Sequence, residues 1–189
     1  MQLILASASP RRKELLSLLK HPFVVRAADI DETMDPENSP REEVEKVSRR
    51  KALAVSREPG DVVIAADTIV VCDGRILGKP KDPQEAVSML ELLSGRDQQV
   101  MTGCTVLRDQ QIRSFTEVTD LHFRPLSHGE ILRYVESGEP MDKAGAYGIQ
   151  GGAALFCEKL QGDYYNVVGL PVCRLATTLQ QLVPEWTEV

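Results

Sequence analysis

Four stretches of the chain carry residue types that could do chemistry. The first is Ser7-Ala8-Ser9-Pro10-Arg11-Arg12. Ser9 suits an N-cap and Pro10 the first helical position, so a helix should open here. Arg11, Arg12 and Lys13 then occupy its first turn, the positive end of the helix dipole and the wrong end for cations. They are either solvated at a small cost or completed by an anion, because the bare N–H groups of that end favour a phosphate. The second is Asp67, inside the apolar run Val62 to Val71. A carboxylate there is costly unless it is paired, binds a metal or caps a neighbouring loop. The third is Gly78-Lys79-Pro80, which presents a lysine on a shaped turn. It is no Walker A loop, because Asp73 stands where the first glycine should be and Pro80 replaces Ser/Thr. The fourth runs from Asp142 to Gly152, with glycines at 145, 148, 151 and 152. Such glycines allow close backbone approach to a ligand, and Tyr147 and Gln150 suit stacking and reading of a base edge. Glu32 and Lys51 look like surface charges when taken alone.

The elements that must position these residues are legible from caps and patterning. Residues 2–6 read as a short buried strand, and Leu15, Leu16, Leu18 and Leu19 make the apolar face of the helix from Ser9-Pro10. Ser39-Pro40-Arg41-Glu42 is a capping box that opens a helix running to about Val55. Val62 to Cys72 is β-rich, and Asp73-Gly74 followed by Arg75-Ile76-Leu77 signals a hairpin. Asp82-Pro83-Gln84-Glu85 repeats the capping-box logic ahead of a helix that stops near Gly95. Strands are expected at 99–107 and 112–123, and a helix from Ser127-His128-Gly129-Glu130. Two more strands are expected at 154–160 and 164–168 around Gln161-Gly162, and a C-terminal helix after Pro171. Helices and strands alternate irregularly with several hairpins, which implies an α/β fold with a mixed sheet.

Length and charge bound the rest. A chain of 189 residues makes one domain, or at most one with two lobes. The formal net charge of -6 disfavours nonspecific binding to nucleic acid. Cys72, Cys104, Cys157 and Cys173 form no C-x-x-C pair, and three lie in apolar stretches. They read as reduced core thiols. The N-terminus lacks the pattern of a signal peptide, and no apolar run reaches membrane-spanning length, so the expected location is the cytoplasm.

In this order, LASASPRRKELL (5–16), RRKALAV (49–55), AADTIV (65–70), LGKPKD (77–82), MLELLSG (89–95), EPMDKAGAYGIQG (139–151) and GDYYNVVGLP (162–171) resemble the Maf family of nucleoside triphosphate pyrophosphatases. The resemblance implies a single catalytic domain over 1–189. Its fold would be a mixed twisted sheet with flanking helices and two lobes around a deep cleft, as in inosine triphosphate pyrophosphatases. It implies cleavage of the α–β phosphoanhydride of nucleoside triphosphates with a divalent cation, Mg²⁺ or Mn²⁺. Arg11, Thr68 and Gln150 match the subgroup selective for dTTP and UTP, a house-cleaning role that could extend to modified pyrimidine nucleotides. Ser7, Arg11 and Arg12 would clamp phosphates, while Thr68 and Gln150 read the base. Lys51 and Lys79 would add positive charge to the leaving pyrophosphate. Glu32 and Asp67 would ligate the metal, with Asp67 also the choice for the base that activates water. A non-catalytic nucleotide sensor regulating septum formation is the alternative. The resemblance is compatible with a homodimer, and neither nucleic acid nor membrane is an expected partner.

Overall fold

The computed structural model describes residues 1–27 and 29–184. Its elements are β1 (Leu3–Leu5), α1 (Pro10–Ser17), β2 (Phe23–Val25), α2 (Pro40–Ala54), β3 (Val62–Cys72), β4 (Arg75–Leu77), α3 (Pro83–Leu93), β5 (Asp97–Arg108), β6 (Gln111–Phe123), α4 (His128–Glu136), β7 (Cys157–Gln161), α5 (Tyr164–Val168) and α6 (Val172–Leu182). Short 3-10 turns lie at Glu139–Asp142, Ala144–Ala146 and Gly152–Leu155. The sheet runs in the order β2-β1-β3-β5-β6-β7, with β4 paired to β3. It is mixed, as expected: β1 is parallel to β2 and β3, while β3–β4 and β6–β7 are antiparallel.

Several readings are corrected: Leu18 lies past the end of α1 and is exposed, and the strand expected from 154 starts only at Cys157, after a 3-10 turn. Residues 164–168, expected as a strand from their Tyr-Tyr-Asn-Val-Val composition, form the short helix α5. Asp163 caps it, its side chain accepting from Tyr165 N at 2.7 Å. Asn166, fully buried within it, donates to Val100 O and Thr119 Oγ1, both at 3.0 Å. These local and tertiary hydrogen bonds override strand propensity. The cysteines divide differently too: Cys72 and Cys104 are buried, but Cys157 is half-buried and Cys173 exposed, and all four are free. Strand β2 carried no recognised signal, since three residues are too few to show a period.

The chain forms two compact units. The first comprises Met1–Asp67, Thr102–Glu117 and the segment from Gly169; the second comprises Thr68–Met101 and Val118–Val168. In the first unit, α2 starts at a complete capping box between Ser39 and Glu42, with Pro40 in its first turn. Ala52 and Val55 at its C-terminal end pack on Ile4 and Ala6, on Val63 and Ala65 of β3, and on Leu107 of β5. Helix and sheet approach closely because Gly103 has no side chain: a Cβ there would run into the Val44 carbonyl of α2. Hydroxyl groups complete this interface. Ser48 Oγ meets Thr105 Oγ1 at 2.7 Å, and Thr116 Oγ1 donates to Arg41 O at 3.0 Å.

The second unit is built on Leu90, Leu93, Phe123, Ile131, Tyr134, Tyr147 and Phe156. Its rings meet edge to face, Phe123 with Tyr147 at 4.8 Å and Tyr134 with Phe156 at 5.1 Å, the arrangement that ring quadrupoles prefer. Helix α4, which carries Tyr134, opens with a second complete capping box between Ser127 and Glu130. Arg124 and Ser127 hold the Glu130 carboxyl down to about 2.

Gly103→Ala should therefore cost about 1–3 kcal/mol by overpacking, read as a lower denaturation midpoint. Gly78→Ala, whose Cβ meets nothing within 4 Å, should stay within about 0.5 kcal/mol. The Glu130 pKa is depressed on folding, so its stabilisation is fully present above the ordinary glutamate range and is lost as pH falls toward 2. Glu130→Gln should lower Tm at neutral pH and flatten the fall in Tm on acidification below about pH 4.3.

Candidate functional site

Period-two alternation puts Val63, Ala65 and Asp67 on one face of β3, the face that packs against α2. The apolar part of that interface is filled by Ala52 and Val55. At its end, Lys51 of α2 meets Asp67, with Nζ 2.7 Å from Oδ1. Both residues are buried, 8% and 9% exposed. The burial of Asp67 is thus met by a pairing, the first of the solutions its sequence position allowed.

The same ammonium reaches a second carboxylate, Glu32 Oε1 at 2.9 Å. The Glu32 loop is held in place by its neighbours. Asp31 accepts from Thr33 N at 2.8 Å and Thr33 Oγ1 at 2.6 Å. Arg50 of α2 donates to Thr33 O at 2.9 Å, and Glu43 of α2 accepts from Asp35 N at 2.9 Å. A hydrogen bond from Lys46, then the Asp35 N–H, holds the Glu43 carboxyl below its ordinary range. One helix therefore carries Lys51 and anchors the loop that brings Glu32 to it.

The start of α1 faces the same group. Ser9 caps the helix, accepting from Arg12 N, and no acidic residue offsets the cations of the first turn. The Arg12 side chain is directed by two acceptors: Nε donates to Gly169 O at 2.8 Å and Nη1 to Ser7 Oγ at 3.3 Å. Burial presses the Arg12 pKa below its ordinary value, while Asp67 and Cys104 pull it up, Arg11 adds to the fall and Glu32 opposes it. Arginine nevertheless stays charged in a protein. Burial also pushes the Cys104 thiol up to about 12, which leaves it inert as a nucleophile. Ser7, Arg11, Arg12, Glu32, Lys51 and Asp67 are thus gathered in the first unit. The Gly169 carbonyl joins them, a main-chain group that side-chain motifs do not reveal.

The donor set can be tested for a metal. Two carboxylate oxygens converge within 2.9 Å of one ammonium nitrogen, a pair suited to a hard cation. Among the described residues no three His, Cys, Asp or Glu side chains group as a metal cage. The set fits an ion that keeps waters and takes phosphate oxygens, as Mg²⁺ does, rather than one enclosed by protein.

Thr68, Lys79 and Gln150 belong to the second unit. Thr68 shares a face of β3 with Val70, and Gly145 packs against Val70 so closely that a Cβ there would clash. Gly145 N donates to Gly78 O at 3.0 Å, which ties the Gly-rich loop to the turn carrying the exposed Lys79. Gly145 needs its freedom twice, for that approach and for φ of +68°. Ala146 follows at φ +60° although it has a Cβ, a strained conformation of the kind found where a loop must be held in one shape. Gln150 is exposed at the far end of the loop.

The remaining glycines do a different job from the one their composition suggested. A Cβ on Gly151 would collide with Glu139, one on Gly148 would collide with the Lys143 side chain at 2.7 Å, and one on Gly152 would come within 3.1 Å of the Tyr134 ring. They approach the protein's own side chains. Glu139 and Tyr134 carried no signal in the sequence as chemistry-bearing residues.

The family model described as Maf-like protein matches residues 2–182. A dTTP/UTP pyrophosphatase of Symbiobacterium thermophilum is 55% identical over 181 residues, spanning 95% of this chain and 93% of the relative. One of Bacillus pumilus is 50% identical over 180 residues, 95% of each chain. Among solved structures, the Staphylococcus aureus Ham1 protein superposes with a TM-score of 0.52 at 14% identity, over 96% of this chain and all of the other. A HAM1 protein from Coxiella burnetii gives 0.51 at 17% identity, over 96% and 99%. The structural likeness extends to the fold alone, whereas the sequence identity over nearly the full length decides kinship: the chain belongs to the family of Maf-like proteins.

Proposed function

We propose that the chain is a nucleoside triphosphate pyrophosphatase acting on dTTP and UTP, with residues 1–189 serving as one catalytic domain. The observation that carries this reading is the Lys51 ammonium set between Asp67 and Glu32 beside the cationic start of α1. The relatives named dTTP/UTP pyrophosphatase supply the substrate class.

The substrate is highly anionic, and its hydrolysis at the α-phosphorus requires charge neutralisation and a water held in line. Arg11, Arg12, the Ser7 hydroxyl and the positive N-terminal end of the α1 dipole bind phosphate oxygens, the guanidinium forks being suited to that geometry. Asp67 gives Oδ1 to Lys51, so Oδ2 is the oxygen that orients the attacking water and takes its proton. Water oxygen bonds to the α-phosphorus, the bond to the α–β bridging oxygen breaks, and pyrophosphate leaves with the bridging oxygen. Lys51 and Lys79 stabilise the charge that develops on it. Glu32 and Asp67 would hold the divalent cation, Mg²⁺ or Mn²⁺, which when bound supplies further charge neutralisation to the phosphates. Thr68 and Gln150 hydrogen-bond the pyrimidine edge. A site built on such bonds rejects a base that leaves its polar groups unpaired. Among the described residues no helix is long and apolar enough to cross a membrane.

Asp67→Asn should lower kcat for dTTP by about 10²–10⁴-fold while nucleotide affinity, followed by calorimetry, changes little. Near-normal pyrophosphate release by this variant would remove Asp67 from the chemistry. Gln150→Glu should reduce kcat/KM for dTTP and UTP far more than it alters metal dependence. A nucleotide panel with unchanged ranking would exclude Gln150 as a base reader.

A further inference from the structure

The shape of the Gln150 loop is set by two side chains that no motif marks. Gly148 N donates to Tyr134 Oη at 3.0 Å, and Gly152 N donates to Glu139 Oε2 at 3.0 Å. The two acceptors are joined, Tyr134 Oη donating to Glu139 Oε1 at 2.9 Å. A phenol and a carboxylate therefore grip both ends of a five-residue segment whose midpoint is Gln150. Gly151 N closes the segment with a bond to Gly148 O at 3.0 Å.

The loop lies so close to this pair that side chains are excluded. A Cβ on Gly151 would overlap Glu139 Oε1, one on Gly148 would sit 3.1 Å from the same oxygen, and one on Gly152 would sit 3.1 Å from Tyr134 Cδ2. Glycine at 151 and 152 is the imprint of Glu139 and Tyr134 on the chain, and glycine at 148 that of Lys143, whose Nζ holds the Glu139 carbonyl.

The pair is itself fixed. Tyr134 is 7% exposed and its ring meets Phe156 edge to face at 5.1 Å. Burial pushes its hydroxyl well above the ordinary phenol range, so it remains a neutral donor. Glu139 is set by its own backbone: its N–H donates to Ser137 Oγ at 3.2 Å, and its carbonyl accepts from Lys143 Nζ at 2.7 Å. Gln150 itself is exposed, and the bonds to Tyr134 and Glu139 fix the backbone on either side of it.

We propose that Tyr134 and Glu139 are positioning residues for base selection, clamping the loop so that the Gln150 amide is presented in one orientation. The proposal rests on the reading of Gln150 as a base reader. Loss of the clamp leaves the groups gathered around Lys51 intact. It raises the cost of ordering Gln150 on binding, so it acts on KM and discrimination rather than on the chemical step.

The test compares kcat and KM for dTTP, UTP, dCTP and dATP in the wild type, Tyr134→Phe, Glu139→Gln, Gln150→Ala and the double variant Tyr134→Phe with Gln150→Ala. Tyr134→Phe keeps the ring packing and removes only the hydroxyl; Glu139→Gln replaces one of two acceptors by a donor. Each should raise KM for dTTP and UTP about tenfold, the equivalent of one hydrogen bond, with kcat at saturation held within about threefold. Each should also narrow the preference over dCTP. In the double variant, Tyr134→Phe should change discrimination no further, because its effect runs through Gln150. If Gln150→Ala narrows discrimination while Tyr134→Phe and Glu139→Gln leave KM and ranking as in the wild type, the clamp is refuted and the base-reading role stands. A fall in kcat with KM unchanged in the two clamp variants refutes it as well. If Gln150→Ala itself leaves the ranking unchanged, base reading by Gln150 is refuted and the clamp with it.

Discussion

The structure depends on one ion pair, between the Lys51 ammonium and the Asp67 carboxylate, 2.7 Å apart and almost out of water. Removing Lys51 would leave the buried Asp67 carboxylate without its ammonium, at about 3–5 kcal/mol. Ion pairs of this kind add little stability over an apolar pair of the same volume, so their retention needs another reason. On the proposed function the reason is chemical. The ammonium also reaches Glu32, and Arg12 stands within the field of both carboxylates. A pair of acids and a set of cations are held against each other with little freedom. That is the preorganisation required where charge is to be transferred between phosphate oxygens and water.

The constraint propagates outward through backbone packing. Lys51 reaches Asp67 only if α2 lies low on the sheet, and α2 lies low because Gly103 lets the Val44 carbonyl approach. The rotation of α2 about its axis is fixed by Ala52 and Val55 in the apolar cluster and by Ser48 on Thr105. The same helix supplies Arg50 and Glu43 to the Glu32 loop. A shift of α2 would therefore move a cation and an acid together, while Asp67 stayed with β3.

Much of this framework was legible in the sequence because its signals are local. Ser9, Ser39 and Ser127 each cap the helix assigned to them, and β3 occupies the run Val62–Cys72. Asp82 also caps its helix, although Glu85 returns to Lys81 N rather than completing a box. The burial of Asp67 could be foreseen from its neighbours, but its partner could not, since Lys51 lies sixteen residues away and their meeting depends on Gly103, far along the chain. Residues 164–168 were misread for a related reason. Their composition favours a strand, and the decisive contacts of Asn166 are with β5 and β6. The Gly-rich loop shows a subtler limit. A glycine states that a Cβ does not fit, not what it would have met; in this loop it meets Val70, Lys143, Glu139 and Tyr134 rather than open space for a ligand.

The two units hold their polar groups by different means. In the first, Arg12 and Lys51 on helices, Asp67 on a central strand and Glu32 on a loop anchored to α2 are directed by one another. In the second, the exposed amide of Gln150 rides on a loop whose ends are gripped by a buried phenol and a carboxylate. Sites on regular elements are the more precisely held, and loops the more easily altered. A residue at position 150 can therefore be exchanged without disturbing the bonds that shape the loop, because those bonds use the backbone of Gly148 and Gly152 and not the side chain between them. The net charge of -6 misleads for the same reason of scale: it averages over the whole surface, whereas binding an anion depends on the few cations that Ser7, Gly169, Asp67 and Glu32 hold in place.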